Sequence, residues 1–256
     1  MTNQDILSVA LKQSAFDCNC SPEDFLSPHN KIVLSKANEN ARAYLPLPFE
    51  FDLVSYGSNI VAQVSERMRE TAEWYIEKYD RIHCFETPNI IALNDRLSEF
   101  GYSVCFMAEY FLPELGFLKP LPCDYETKLL YPADFGTYYR AEWSNALCEK
   151  RKNLDVLAIG AFDGDKLIGL AGCSADCEDM YQIGIDVLPE YRKCGIASSL
   201  VSQLATEIIK LGKVPFYCAA WSNIGSVRTA IKAGFKPAWV ELTARAREFV
   251  NEMNEV

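Results

Sequence analysis

Between Tyr181 and Leu211 an apolar strand pattern passes through a short loop into a long amphipathic helix, and the loop carries Arg192, Lys193 and Gly195. This junction constrains the fold more than any other part of the chain. Tyr181 to Val187 reads as a strand, ended by Pro189. Ser198 to Leu211 reads as a helix, because Leu200, Leu204, Ile208 and Leu211 recur on one face at helical spacing. A strand that feeds a helix through a tight loop belongs to a layered α/β sheet. Gly195 lets the backbone turn sharply and approach a ligand closely. The free N–H groups of a helix start, with the helix dipole, favour an anion at that point. With two cations beside them, they form a cradle for a pyrophosphate built from main chain.

The elements around this junction alternate in the same way. Thr137 to Glu149 reads as a helix. Val156 to Phe162 and Lys166 to Cys173 read as paired strands, joined at Asp163-Gly164-Asp165. Pro215 to Ala220 follows as a strand, Asn223 to Ala233 as a helix stopped by Gly234, and Trp239 to Thr243 as a last strand. The first half is less regular. Gln4 to Phe16 reads as a helix, and Ser21-Pro22-Glu23-Asp24 looks like a helix start. Phe51 to Val64 reads as a hairpin turning at Tyr56-Gly57-Ser58-Asn59. Glu66 to Tyr79 and Pro88 to Phe100 read as helices, the second stopped by Gly101, and Tyr102 to Tyr110 as a strand. Three prolines between Leu112 and Cys123 mark a linker. The halves echo each other, since Asn89 to Gly101-Tyr102 and Asn223 to Gly234-Phe235 are both asparagine-started helices ended by glycine and an aromatic.

Charge narrows the partners. With 25 basic against 35 acidic residues the net charge is -10, which repels phosphate backbones and argues against nucleic-acid binding. No apolar run reaches the roughly 18 residues of a membrane helix, and Met1 to Ala10 lacks the regions of a signal peptide. The 10 cysteines are scattered, which fits reduced thiols in a cytoplasm. Cys18-Asn19-Cys20 and the Cys173/Cys177 pair have no second pair at metal-ligand spacing, and His29 and His83 are the only histidines, so no metal is expected. The loop lacks both G-x-x-x-x-G-K-[ST] and G-x-G-x-x-G, which excludes a triphosphate loop and a dinucleotide fingerprint.

These residues resemble the GNAT superfamily of N-acetyltransferases. Its coenzyme A loop, [RQ]-x-x-G-x-[GA], is matched by Arg192, Gly195 and Ala197, and the preceding V-x-P-x-x-[RQ] by Val187, Pro189 and Arg192. Its next motif, an asparagine, a small residue three later and a glycine-aromatic pair, is matched by Asn223, Ser226, Gly234 and Phe235. Ala171 to Asp176, Gln182 to Asp186 and Pro215 to Tyr217 are similar to a bacterial subgroup with an extra N-terminal region. The resemblance implies a mixed-sheet α/β architecture, the GNAT-like acyl-CoA N-acyltransferase fold, at residues 122–256. An N-terminal α/β lobe at 1–118 would be a degenerate copy, packing against the catalytic half.

The resemblance further implies acetyl transfer from acetyl-CoA, the co-substrate, to an amine by direct attack. The pyrophosphate would sit on Arg192, Lys193, Cys194, Gly195, Ile196, Ala197 and Ser198. The pantetheine arm would lie along Ile185 to Val187, with the Val187 N–H as oxyanion donor. Asn223 and Ser226 would contact the coenzyme. The attacking amine must be neutral, whereas an alkylamine has a pKa of about 10.4. Asp186 is the candidate base, beside Glu190, Asp176, Glu178 and Asp179 or a water chain; Tyr181 and Gln182, near the position where some relatives carry a glutamate, cannot act as one. Many relatives carry a tyrosine seven residues after the motif asparagine, as acid for the departing thiolate. Here that position is Ala230, and Tyr217 or solvent would serve instead.

The acceptor is expected to be a small-molecule amine or a peptide amine, with no nucleic acid and no membrane involved, and a homodimer is compatible with the chain. Trp221 and Trp239 flank the second motif and would either line an acceptor pocket or pack at strand ends. Two other activities compete: an acyl-CoA-binding module without turnover, and transfer of another acyl or aminoacyl group.

Overall fold

The computed structural model describes residues 1–255. Its elements begin with α1 (Asn3–Cys18), β1 (Lys31–Leu34), β2 (Phe51–Ser55), β3 (Val61–Val64), α2 (Arg69–Lys78), α3 (Thr87–Ser98) and β4 (Tyr102–Pro113). They continue with β5 (Glu126–Leu130), β6 (Asp155–Asp163), β7 (Lys166–Ser174), β8 (Met180–Val187), α4 (Ile196–Lys210), β9 (Val214–Ala219), α5 (Ile224–Lys232), β10 (Phe235–Ala246) and α6 (Arg247–Asn254). The chain is therefore mixed α/β, as the alternation of patterns predicts. It forms two compact units, Met1–Ala10 with Tyr110–Pro237, and Leu11–Glu109 with Ala238–Val256. Among the described residues no helix is long and apolar enough to cross a membrane.

In the first unit the strands lie in the order β9-β8-β7-β6-β5. β5 to β8 are antiparallel to their neighbours, and β9 runs parallel to β8. Helix α4 returns the chain from β8 to β9 and buries Leu200, Val201, Leu204, Ala205 and Ile208 against Ala161, Ala171, Ile183 and Tyr217. Each fully buried leucine or isoleucine of that stripe contributes about 1.5–3 kcal/mol. Leu211, which the spacing assigned to the same stripe, lies past the last helical residue and is 59% exposed. A Cβ on Gly169 would stand 2.9 Å from Ile196 Cγ2. This glycine thus lets the first turn of α4 rest directly on β7.

The helix expected over Thr137 to Glu149 does not form. The segment holds short 3-10 turns, Pro132–Thr137, Ala141–Trp143 and Glu149–Leu154. The reason is competition for its N–H groups. Asn145 and Ala146 donate theirs to the Asp186 carboxylate, at 2.9 and 3.0 Å, so those donors cannot serve a helix ladder. Ser21 likewise starts only a 3-10 turn, Pro22–Leu26. β1, β5 and α6 have no counterpart in the sequence reading. β1 and β5 are only four and five residues long.

The second unit orders its strands β1-β3-β2-β10. β2 and β3 form the expected hairpin, β1 lies parallel to β3, and β10 pairs antiparallel with β2. α2 and α3 supply Ala72, Tyr75, Ile76, Leu93 and Leu97 to one core, which explains the Trp74, Tyr75 and Tyr79 cluster as packing. The same unit buries an ion network. Arg42 donates through Nε to Asp17 at 2.6 Å and through Nη2 to Glu241 at 2.7 Å. Asp52 lies between Gln63 and Thr243 in the strand register and accepts from the Thr243 hydroxyl at 2.7 Å. Burial pushes its carboxyl up to about 8, and the neighbouring Glu241 adds to the shift.

Candidate active site

The site begins where two neighbouring strands part. The β7–β8 ladder runs to Gly169↔Val187, whereas the parallel β8–β9 ladder ends at Ile183↔Tyr217. Leu188 donates its N–H to Ile168 of β7 at 3.0 Å. By the alternation of a strand, Gly184 and Asp186 turn their backbone groups to β7, and Ile185 and Val187 turn theirs toward β9. The ladder to β9 has already ended there, so Ile185 and Val187 present an open strand edge. An extended ligand with amide groups can pair with such an edge as an added strand.

The chain then enters the loop. A short turn, Pro189–Tyr191, leads to Arg192, whose Nε donates to the Val187 carbonyl at 3.0 Å. Lys193 and Gly195 are both left-handed, with φ of 66° and 85°. Gly195 is the N-cap of α4. Left-handed residues in a turn let successive N–H groups converge on one side, the geometry of an anion-binding nest. Among the described residues the N–H groups of Lys193 to Ser198 meet no backbone or side-chain acceptor. Ser198 turns its hydroxyl back to the Gly195 carbonyl at 2.9 Å. Ile196 is buried and anchors the helix, while Cys194 is exposed with its thiol 3.6 Å from the Arg192 carbonyl. The loop's ionisable side chains thus flank a site made by backbone, and this arrangement fits two linked phosphates.

Helix α5 borders the same region and packs against α4. Asn223 caps it by accepting from the Ser226 N–H at 3.1 Å. The Ser226 hydroxyl is 2.7 Å from the Tyr217 hydroxyl. Tyr217 stands on β9 at the last paired position and is buried with Ala230 and Phe235 in the core beneath α4. Burial raises its phenol above the ordinary tyrosine value, although the Ser226 hydrogen bond opposes the shift.

The opposite face of β8 carries Asp186. Both its oxygens are engaged, by the N–H groups of Asn145 and Ala146 and by the Asn145 side-chain amide at 2.6 Å. The Asn145–Ala146 segment lies flat on the sheet because Gly172 and Gly184 carry no side chain; a Cβ on either would collide with the carbonyl of Ala146 or Asn145. Strand-interior glycines signal such close approach, and that signal was available in the sequence. Of the other carboxylates weighed as bases, Asp176, Glu190 and Asp179 also have partners, and Glu178 has none among the described residues. Asp176 is held by Arg151 and Ser174, Glu190 pairs with Lys166 at 2.9 Å, and Asp179 lies 3.5 Å from Lys213. Trp221 is exposed, whereas Trp239 belongs to the second unit, where it stacks on Tyr56 and donates to Glu241.

A helix start with free N–H groups beside a splayed strand pair is an arrangement that an extended, phosphate-bearing ligand would fit. Residues 123–235 match the acetyltransferase (GNAT) family. Among solved structures, a GCN5-related N-acetyltransferase-like protein from Streptococcus suis is 22% identical, with TM-score 0.46, over 61% of this chain and 69% of that one. A GCN5-related N-acetyltransferase from Sphaerobacter thermophilus is 15% identical, with TM-score 0.47, over 73% and 72%. A GNAT-family acetyltransferase from Colwellia psychrerythraea is 15% identical, with TM-score 0.44, over 56% of this chain and 57% of that one. The chain thus spans between about half and three quarters of the length of these proteins. No curated protein matches it.

Proposed function

We propose that the GNAT domain transfers an acetyl group from acetyl-CoA to an amine by direct attack. The observation that carries this reading is the open edge of β8 at Ile185 and Val187, leading directly into the nest of free N–H groups at Lys193 to Ser198. The nest holds the pyrophosphate, and the edge pairs with the amides of the pantetheine arm. The Val187 N–H then donates to the oxygen that becomes negative when the amine adds to the thioester carbonyl. Asn223 and Ser226 approach the coenzyme from α5.

The amine enters as the neutral fraction, and its proton leaves through water. Asp186 acts as a positioning residue in this scheme, because its oxygens already accept three N–H bonds that hold Asn145 and Ala146 beside the site. Tyr217 takes the place left by Ala230. Its phenol stays protonated through the working pH range and donates a hydrogen bond to the departing sulfur, with Ser226 orienting it. A thiol with a pKa near 8.5 needs only that help to leave.

The second unit reads as a degenerate copy that binds no coenzyme. α3, Gly101 and the 12-residue β4 repeat the succession of α5, Gly234 and the 12-residue β10, and both glycines have positive φ. The β2–β3 hairpin with parallel β1 repeats β7–β8 with β9. Here, however, β1 pairs with all four residues of β3, so no edge is left open. The connection from β3 to α2 contains no glycine.

Chromatographic detection of coenzyme A released from acetyl-CoA, against a panel of primary amines, tests the reading. Release with any amine supports the transferase. Tight acetyl-CoA binding without release for every amine overturns it in favour of a binding module. Gly195→Tyr places a side chain in the nest at a left-handed position and should abolish coenzyme A binding measured by calorimetry. Wild-type affinity in that variant would remove the loop from the site.

A further inference from the structure

A third cation reaches the nest from a different element. Lys232 is the last residue of α5, and its Nζ lies 3.7 Å from the point where a Cβ on Gly195 would stand. Most lysines around this unit are spoken for. Lys166 pairs with Glu190, Lys210 with Glu207, Lys213 with Asp179 and Lys236 with Glu114. Lys232 pairs with no carboxylate among the described residues, in a chain with an excess of acidic groups. A free ammonium close to unsatisfied N–H groups is an arrangement of like-signed partial charges. It becomes favourable when an anion lies between them.

We propose that Lys232 is a phosphate ligand of the donor, closing the nest over the pyrophosphate from the α5 side. This rests on the reading of the nest as a coenzyme A site and goes beyond it, because it assigns specificity for a phosphorylated donor to a side chain outside the loop. The lysine contributes to donor affinity and not to the chemical step, since it sits at the phosphate end of the site.

Binding of coenzyme A, dephospho-coenzyme A and acetyl-pantetheine to the full chain, measured by calorimetry, tests the assignment. Lys232→Ala should weaken coenzyme A about five-fold, as expected of a solvent-facing charge-assisted contact. Dephospho-coenzyme A keeps the pyrophosphate, so its affinity should fall by the same factor. Acetyl-pantetheine lacks both phosphate groups and should bind the variant and wild type equally. Lys232→Arg should retain most of the affinity, and Lys210→Ala, at the far end of α4, controls for net charge. Unchanged coenzyme A affinity in Lys232→Ala overturns the proposal. A loss for coenzyme A but not for dephospho-coenzyme A also overturns it, by moving the lysine to the terminal phosphate. If the wild-type chain binds no coenzyme A at all, the reading of the nest fails first, and that outcome is distinct from a silent Lys232.

Discussion

Asp52→Asn should flatten the dependence of the second unit's stability on pH. Asp52 is buried beside Glu241 and Asp17, with Arg42 as the shared cation. Burial is the largest cause of its shift, and the folded carboxyl titrates near 8 instead of 3.8. Between those values the folded chain holds a proton that the unfolded chain has released. The stabilisation is therefore complete below the unfolded value and is lost as pH rises toward the folded one. The slope is about 1.4 kcal/mol per pH unit, so raising pH from 5 to 7.5 should cost the wild type about 3 kcal/mol through this residue alone. An asparagine keeps the shape and the hydrogen bond from Thr243 but has no proton to lose. Urea unfolding followed by tryptophan fluorescence from pH 5 to 8, for both chains, measures the difference. The gap in unfolding free energy should narrow or reverse as pH rises. Parallel curves across that range would refute a protonated Asp52 in the fold.

Two further outcomes follow from the site. Asp186→Asn should raise KM for the amine several-fold, by loosening Asn145 and Ala146, and should leave the pH profile of kcat unchanged. Loss of the alkaline rise in that profile would restore Asp186 as the base. Tyr217→Phe should lower kcat about ten-fold with little change in KM for acetyl-CoA, the modest size reflecting a good leaving group. An unchanged kcat would leave the departing sulfur to solvent.

How much could be read in advance depended on whether a signal was local. The strand, loop and helix from Met180 to Lys210 were legible because apolar spacing, Pro189 and Gly195 all mark the same boundaries. The hairpins turning at Gly57 and Gly164 were legible for the same reason. The turns between Pro132 and Leu154 were misread as a helix, because the partner that takes their N–H groups, Asp186, is 40 residues away along the chain from Ala146. β1 and β5 are short and gain order only through pairing. Within the candidate site the loop could be picked out from its residues. The roles of Asn145, Ala146 and Lys232 could not, since each depends on a neighbour brought in by the fold. Gly172 and Gly184 did carry a trace of this, as residues a strand would otherwise avoid.

The platform under Asn145 and Ala146 is built from glycine hydrogens below and one carboxylate at the side, which grips two peptide N–H groups and the Asn145 side-chain amide. Its height above the strands is therefore set by backbone, by the Asn145 amide and by the buried Trp143, Ala146 and Leu147, whereas the exposed Arg140, Ala141, Glu142 and Ser144 take no part in it. On the proposed reading those exposed groups could be exchanged to suit a different acceptor without disturbing the scaffold.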